Sequence, residues 1–201
     1  GLGMINALGS DAKSSFKAIC EGQCGVDKIT LFDASDFPVQ IAAQVKNFEP
    51  ERYIEDAKEI KKLDRFIQLA HAASDEAIKD ANLKDYDIDD YGVSSAAGIG
   101  GLPNIEKNSN ICLERGARKI SPFFIPSALV NMLGGVLSIK YKLRGPNISS
   151  VTACAASTHA IIEAAKTIML GEATGMLVIG AESTICPVGI GGFAAMKALS
   201  T

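Results

Sequence analysis

The most regular hydrophobic pattern lies in the last third of the chain. Residues 148–152 form a β-branched run that predicts a strand, and residues 176–179 form a second apolar run of the same kind. Between them, residues 155–170 carry small and apolar side chains at helical spacing and end at a glycine. A strand, a helix and a strand in this order favour a parallel sheet between layers of helices, so the chain is predicted to be an α/β protein.

Shorter patterns precede this unit. A buried strand is predicted over residues 92–97, where it runs into a glycine loop at 98–101. One helix is predicted over 10–21 with Ser10 as its N-cap, and a long one over 51–82 with apolar residues at three- and four-residue steps. The other predicted elements are a strand over 39–45, helices over 104–114 and 127–141, and an extended loop over 121–126.

Composition narrows the class of protein. The chain has 201 residues, 47% of them hydrophobic and 21% charged, which is enough apolar material for a well-buried core and excludes a disordered chain. The formal net charge of −3 disfavours a general nucleic-acid binder. No apolar run reaches the roughly 18 residues of a membrane helix, so no membrane association is predicted.

The ends of the chain and its cysteines add context. The first residue is Gly1 and the last residues carry no closing signal, so we expect a piece of a longer chain. The five cysteines are scattered and no secretory signal precedes them, which favours free thiols in a reducing, cytoplasmic compartment. Cys20 and Cys24 could suggest a metal pair, but no second pair follows at ligand spacing, so two ordinary thiols are the preferred interpretation.

Cys154 is the strongest candidate for chemistry. It lies between the predicted strand 148–152 and the predicted helix 155–170. The first N–H groups of a helix are unpaired and favour negative charge, so a thiol placed there is a better nucleophile. Its position alone leaves a packing role in the core open, because cysteine is commonly buried.

Neither histidine is a convincing base for this thiol. His159 follows Cys154 by five residues, which places it about 140° around a helix, so its side chain should not meet the thiol and packing is preferred. His71 falls inside the long predicted helix, where a helix-packing or a half-exposed histidine is the preferred interpretation. The sequence therefore offers a nucleophile without a base.

Several segments together resemble the β-ketoacyl synthases of the thiolase fold, and they span the whole chain in order. They are TACAAS at 152–157, LRGP at 143–146, GAE at 180–182, GLG at 1–3, GIGG at 98–101, SPFFIPS at 121–127, GGF at 191–193 and ALST at 198–201. In that family two similar halves pack as a five-layer α-β-α-β-α sandwich. The resemblance implies that residues 1–201 are the N-terminal half with its insertions, that the second half supplies two histidines, a lysine and a gating phenylalanine, and that this half alone is inactive.

The resemblance also implies a reaction without a metal or organic cofactor. Cys154 would take an acyl group from acyl carrier protein, and its backbone N–H would be half of an oxyanion hole. Malonyl-acyl carrier protein would then lose carbon dioxide, and the resulting carbanion would extend the acyl chain.

Further residues receive roles only through the resemblance. Ile99 would gate the acyl pocket and Phe193 would line it, while Phe124 and Ile125 would reach the pocket of a partner subunit in a two-fold homodimer. Ordinary core packing is the alternative for each of these apolar residues.

A basic cluster is the candidate dock for the carrier. Lys58, Lys61, Lys62 and Arg65 have the spacing of one helical face, and acyl carrier protein is acidic. A solvated helix face remains the alternative.

Three functions therefore stay open. The chain could be a fatty-acid condensing acyltransferase, a non-catalytic carrier-binding or dimerising half with an idle Cys154, or a relative of the polyketide ketosynthases or thiolases.

Overall fold

The computed structural model describes residues 1–83, 87 and 89–200. Within these residues the strands are β1 (Val26–Lys28), β2 (Ile41–Ala43), β3 (Tyr91–Ala96), β4 (Asn147–Ser150) and β5 (Gly175–Gly180). The α-helices are α1 (Ala12–Cys20), α2 (Ala57–Ile60), α3 (Arg65–Asp80), α4 (Leu102–Arg115), α5 (Phe124–Ala128), α6 (Met132–Tyr141), α7 (Ala156–Met169) and α8 (Pro187–Ala195). Short 3₁₀ turns occur at Pro50–Arg52, Ala117–Lys119 and Ala153–Ala155.

A three-stranded parallel sheet forms the centre of the fold. Its order is β4-β3-β5, so the chain leaves β4, passes through α7 and crosses β3 to reach β5. In the register, Ala96 of β3 lies beside Ser150 on one side and Gly180 on the other. The carboxyl ends of all three strands therefore meet at one edge, as the predicted parallel sheet requires.

Helices cover both faces of the sheet, which confirms the predicted α/β class. Neighbouring residues of β3 point to opposite faces. The hydroxyl of Ser94 donates to the carbonyl of Ala160 in α7 at 2.8 Å. On the opposite face α6 lies so close that a Cβ at Gly134 would be 2.7 Å from the hydroxyl of Ser95.

The main core lies on the α6 side of the sheet. Its fully buried side chains are Phe66 and Ile67 of α3, Val93 of β3, and Leu133 and Leu137 of α6. Burying such a side chain contributes about 1.5–3 kcal/mol relative to leaving it in water, so this cluster is the principal anchor of the fold.

The predicted long helix over 51–82 is wrong. The chain instead forms the short α2 and a separate α3 that begins at Arg65. The first of them ends at Ile60, and Asp64 starts the second, because its backbone is extended and its carboxylate accepts the N–H of Phe66 at 3.3 Å as the N-cap of α3.

The segment around 121–141 also differs from its prediction. Residues 121–126 were expected to be extended, but α5 begins at Phe124 and contains Pro126. Proline is tolerated there because the first turn of a helix has no partner for its N–H. The predicted helix over 127–141 is interrupted at Leu129, whose backbone is extended, and resumes as α6.

Two smaller predictions are adjusted. The N-cap of α1 is Asp11 and not Ser10, because the Asp11 carboxylate accepts the N–H of Ser14 at 2.6 Å. The strand expected at 39–45 is confirmed as the shorter β2, which pairs antiparallel with β1. No helix in the described ranges is long and apolar enough to cross a membrane.

Candidate active site

Cys154 lies at a strand-to-helix junction, as predicted. β4 ends at Ser150, a 3₁₀ turn covers Ala153–Ala155, and α7 begins at Ala156 and ends at Met169. Ala153 has a φ of +50°, a left-handed conformation that is strained for a residue with a Cβ. This sharp turn presents Cys154 as an exposed free thiol at the start of α7.

The three parallel strands deliver their carboxyl ends to one cleft. The cavity has a volume of about 420 Å³ and contains Cys154 after β4, Ile99 after β3 and Phe193 from α8. The family resemblance implied one site for these three residues, and the structure brings them together. Small residues form much of the remaining wall: Ala96, Ala97, Gly98, Gly180 and Ala181.

Close packing of α7 against β5 sets the position of this cleft. A Cβ at Gly180 would be 2.2 Å from the hydroxyl oxygen of Ser157 in the first turn of α7. Glycine at this position therefore lets the helix that follows Cys154 approach the sheet.

Glu182 is a site residue to which the sequence analysis gave no role. Its Oε2 accepts the backbone N–H groups of Gly98 at 2.9 Å and Ile99 at 2.8 Å. Its Oε1 accepts the N–H groups of Gly100 at 3.2 Å and Ser183 at 3.3 Å. The only sequence signal was its place in the GAE segment after β5.

The complete chain, residues 1–201, matches the family model described as the N-terminal domain of β-ketoacyl synthase. It belongs to the β-ketoacyl synthase family.

Curated relatives support the same assignment. The chain is 47% identical to a 3-oxoacyl-[acyl-carrier-protein] synthase 2 of Coxiella burnetii, and the match covers 100% of this chain and 49% of the relative. The proteins of the same name from Vibrio harveyi and Staphylococcus aureus are 44% and 39% identical over the whole chain, covering 49% and 50% of their lengths. The chain therefore spans about half the length of the curated relatives it matches.

Solved structures confirm the thiolase-like fold. A β-ketoacyl synthase from Burkholderia phymatum superposes with a TM-score of 0.85 at 24% identity, covering 100% of this chain and 50% of that one. A ketosynthase complex with a type II polyketide acyl-carrier protein superposes with a TM-score of 0.83 at 20% identity, covering 98% and 53%.

The histidines of this β-ketoacyl synthase domain do not supply a base for Cys154. The Nδ1 of His159 lies 3.3 Å from the hydroxyl of Thr152, and its Nε2 lies 3.4 Å from Glu163. It is therefore a partly exposed histidine paired within its own helix and the preceding turn, where packing on a neighbouring element had been expected. His71 is buried within α3, in agreement with its interpretation as a packing residue.

Phe124 and Ile125 do not line the Cys154 cleft. Both lie in α5, and Ile125 is 57% exposed. Their contact with a partner subunit stays a prediction.

The prediction that Lys58, Lys61, Lys62 and Arg65 share one face of a helix is wrong. Lys58 belongs to α2, Lys61 and Lys62 lie in the connection, and Arg65 begins α3. The guanidinium of Arg65 donates to the carbonyl of Val45 at 2.9 Å, so this side chain is partly committed to the fold.

Tertiary structure assembles a different basic surface, which we call the basic cleft. Lys61, Lys62 and Arg65 line a cavity of about 400 Å³ together with Lys107 of α4 and Lys119. Lys62 also pairs with Glu59, and its ammonium lies 5.0 Å from the centre of the Phe123 ring. Lys107 and Lys119 were missed because nothing local in the sequence connects them to the segment at 61–65.

Proposed function

We propose that the complete protein containing this chain is a condensing acyltransferase of fatty acid biosynthesis. It elongates acyl-[acyl carrier protein] with malonyl-[acyl carrier protein] through an acyl-Cys154 intermediate and a decarboxylation. The observation that carries this proposal is an exposed thiol at the start of α7, on the rim of an apolar cleft, in a chain of the β-ketoacyl synthase family.

In the first step, the Cys154 thiolate attacks the carbonyl carbon of the acyl thioester. The new bond joins this carbon to Sγ, and the carrier leaves as its free thiol after taking a proton. The backbone N–H of Cys154 lies in the turn before α7, where it is available to stabilise the developing oxyanion. The second donor is expected from the other half of the family's fold.

In the second step, the malonyl group loses carbon dioxide and leaves a carbanion on its α-carbon. This carbon attacks the acyl-Cys154 carbonyl, a carbon–carbon bond forms, and the bond to Sγ breaks to regenerate the thiolate. Small residues around Cys154 and the apolar side chains of Ile99 and Phe193 suit an acyl chain. The histidines that assist decarboxylation are expected in the other half of the fold.

The carrier protein is proposed to dock on the basic cleft. Five cationic side chains converge there, although the whole chain has a net charge of −3. A local positive patch attracts an acidic partner and raises its association rate. The two-fold homodimer and the cytoplasmic location stay predictions.

Identity favours the fatty-acid reaction over the polyketide alternative. The chain is 39–47% identical to relatives named 3-oxoacyl-[acyl-carrier-protein] synthase 2, against 20% to the polyketide ketosynthase complex. Dependence on coenzyme A in place of carrier protein would instead indicate a thiolase.

The test is acyl-enzyme formation in the complete protein. After incubation with acyl-[acyl carrier protein], mass spectrometry should find one acyl adduct, on Cys154. Cys154→Ala should abolish the adduct, because no nearby side chain replaces the thiolate. Cys20→Ala, which removes another exposed thiol, is the matched control and should leave it intact. An adduct that persists in Cys154→Ala would contradict the proposal.

Alkylation tests whether Cys154 is idle. Iodoacetamide should modify Cys154 faster than the exposed Cys20 and Cys24, because α7 begins directly after it. Cys186 should react most slowly, since burial raises the pKa of its thiol to about 11. Equal rates for the three exposed thiols would favour the non-catalytic alternative.

A further inference from the structure

One carboxylate connects the ends of two neighbouring strands at the Cys154 cleft. β3 ends at Ala96 and β5 ends at Gly180, which are paired in the register. The N–H of Ala181 also donates to the carbonyl of Ala96 at 3.1 Å, so the backbone leading to Glu182 is fixed to β3. From this fixed point the side chain reaches the residues that follow β3.

The loop at residues 98–100, which we call the gate loop, turns three consecutive N–H groups toward that carboxylate. Each carboxylate oxygen accepts two hydrogen bonds. Three of these four bonds come from the gate loop, and the fourth comes from the N–H of Ser183. The gate loop lies between the end of β3 and the start of α4, so no strand or helix satisfies these donors. An ionised acceptor forms the stronger class of hydrogen bond with them.

The glycines of the gate loop fit this role. A Cβ at Gly98 would lie 3.2 Å from Oε2 of Glu182, and Gly100 has a φ of +82°. A second anchor follows at Gly101, whose N–H donates to the carbonyl of Ala128 at 3.2 Å. Between these anchors, the Ile99 side chain remains 38% exposed while its backbone is held.

We propose that Glu182 is a positioning residue that fixes the gate loop as one wall of the Cys154 cleft and thereby sets which acyl chains the cleft accepts. The part that concerns acyl chains rests on the proposed function, whereas the fixing of the loop rests on hydrogen bonds alone. Glutamine cannot replace this side chain, because its NH₂ group would face the N–H donors now held by one carboxylate oxygen.

The direct test is hydrogen exchange of the gate-loop amides in the complete protein. Glu182→Gln should accelerate exchange in a peptide covering the gate loop by about tenfold or more, since charge-assisted bonds are lost. Glu172→Gln is the matched control, because Glu172 is exposed and lies before the opposite end of β5. It should leave gate-loop exchange unchanged.

The functional test is the ratio of Cys154 acylation rates with a short and a long acyl-pantetheine thioester. Glu182→Gln should move this ratio toward one, because a loosened wall discriminates less between chains. Glu172→Gln should keep the ratio of the unmodified protein. Should Glu182→Gln fail to fold by circular dichroism, Glu182→Asp, whose shorter side chain cannot reach all these donors, should exchange the gate-loop amides faster than the unmodified protein, and an unchanged rate would overturn the role in fixing the loop.

The outcomes separate this proposal from the proposed function. Unchanged exchange in Glu182→Gln would overturn the role of Glu182 in fixing the loop. Faster exchange with an unchanged acylation ratio would overturn its role in selecting chains. If the unmodified protein forms no acyl-Cys154 at all, the proposed function fails, and the exchange experiment still decides whether Glu182 holds the gate loop.

Discussion

Asp64 and His71 should act in opposite directions on the pH dependence of stability. Asp64 is 6% exposed, and burial raises its pKa from 3.8 to about 6, although the N–H groups of Phe66 and Asn104 partly offset the rise. His71 is 5% exposed, and burial followed by the charge of Lys140 lowers its pKa from 6.5 to about 4. Among the described residues, neither nitrogen of the His71 ring has a hydrogen-bond partner.

The direction of each effect follows from how tightly the folded and the unfolded states bind the proton. Between about pH 4 and 6 the folded state holds the proton of Asp64 more tightly, so the Asp64 contribution to the free energy of unfolding falls as the pH rises. Between about pH 4 and 6.5 the unfolded state binds a proton at His71 more tightly, so the His71 contribution rises with pH. One pKa unit corresponds to about 1.4 kcal/mol, so each contribution is about 3 kcal/mol and the two nearly cancel.

Removing either titratable group should reveal the pH dependence that the other group gives to the free energy of unfolding. Asp64→Asn keeps a capping oxygen, and its free energy of unfolding should rise by about 3 kcal/mol between about pH 4 and 6.5 relative to the unmodified protein. His71→Leu should change in the opposite direction by a similar amount. At pH 4 it should be more stable than the unmodified protein, because its unfolded state no longer gains free energy by binding a proton at position 71.

Urea unfolding of the complete protein at several pH values, followed by circular dichroism, measures these slopes. Asp56→Asn is the control for the loss of a capping carboxylate, since Asp56 caps α2 at an exposed position. Slopes that are identical in the unmodified protein, Asp64→Asn and His71→Leu would refute the reasoning.

Two further predictions concern the cleft and the dock. Gly180→Ala should push α7 away from the sheet, because the new Cβ would meet Ser157. The free energy of unfolding in urea should fall by about 1–3 kcal/mol, and the alkylation of Cys154 should become slower. Unchanged alkylation would contradict this packing role of Gly180. The double variant Lys61→Glu with Lys62→Glu should raise the KM for acyl-[acyl carrier protein], less so at high salt, because exposed charges are screened over about 8–10 Å. The rate with an acyl-pantetheine thioester should stay unchanged, and an equal loss with both substrates would show that the lysines are structural.

Local patterns were sufficient for the strands of the sheet and for the place of Cys154 at a strand-to-helix junction. The β-branched run before Cys154 and the small-residue helix after it encode β4 and α7 within a single segment, so their junction follows from neighbouring residues. β3 and β5 were also predicted from local sequence, and β3 is buried on both faces, as the middle strand of a parallel sheet is expected to be.

Contacts between distant segments decided the rest. Asp64 caps the start of α3 where one long helix was predicted, and its carboxylate accepts N–H groups from both Phe66 and Asn104, forty positions away in α4. Glu182 holds Gly98 across 84 positions, and the basic cleft joins residues 61–65 to Lys107 and Lys119. Hydrophobic periodicity reports which face of an element is buried, but not which distant donors a carboxylate will meet, because that depends on the order in which the strands pair.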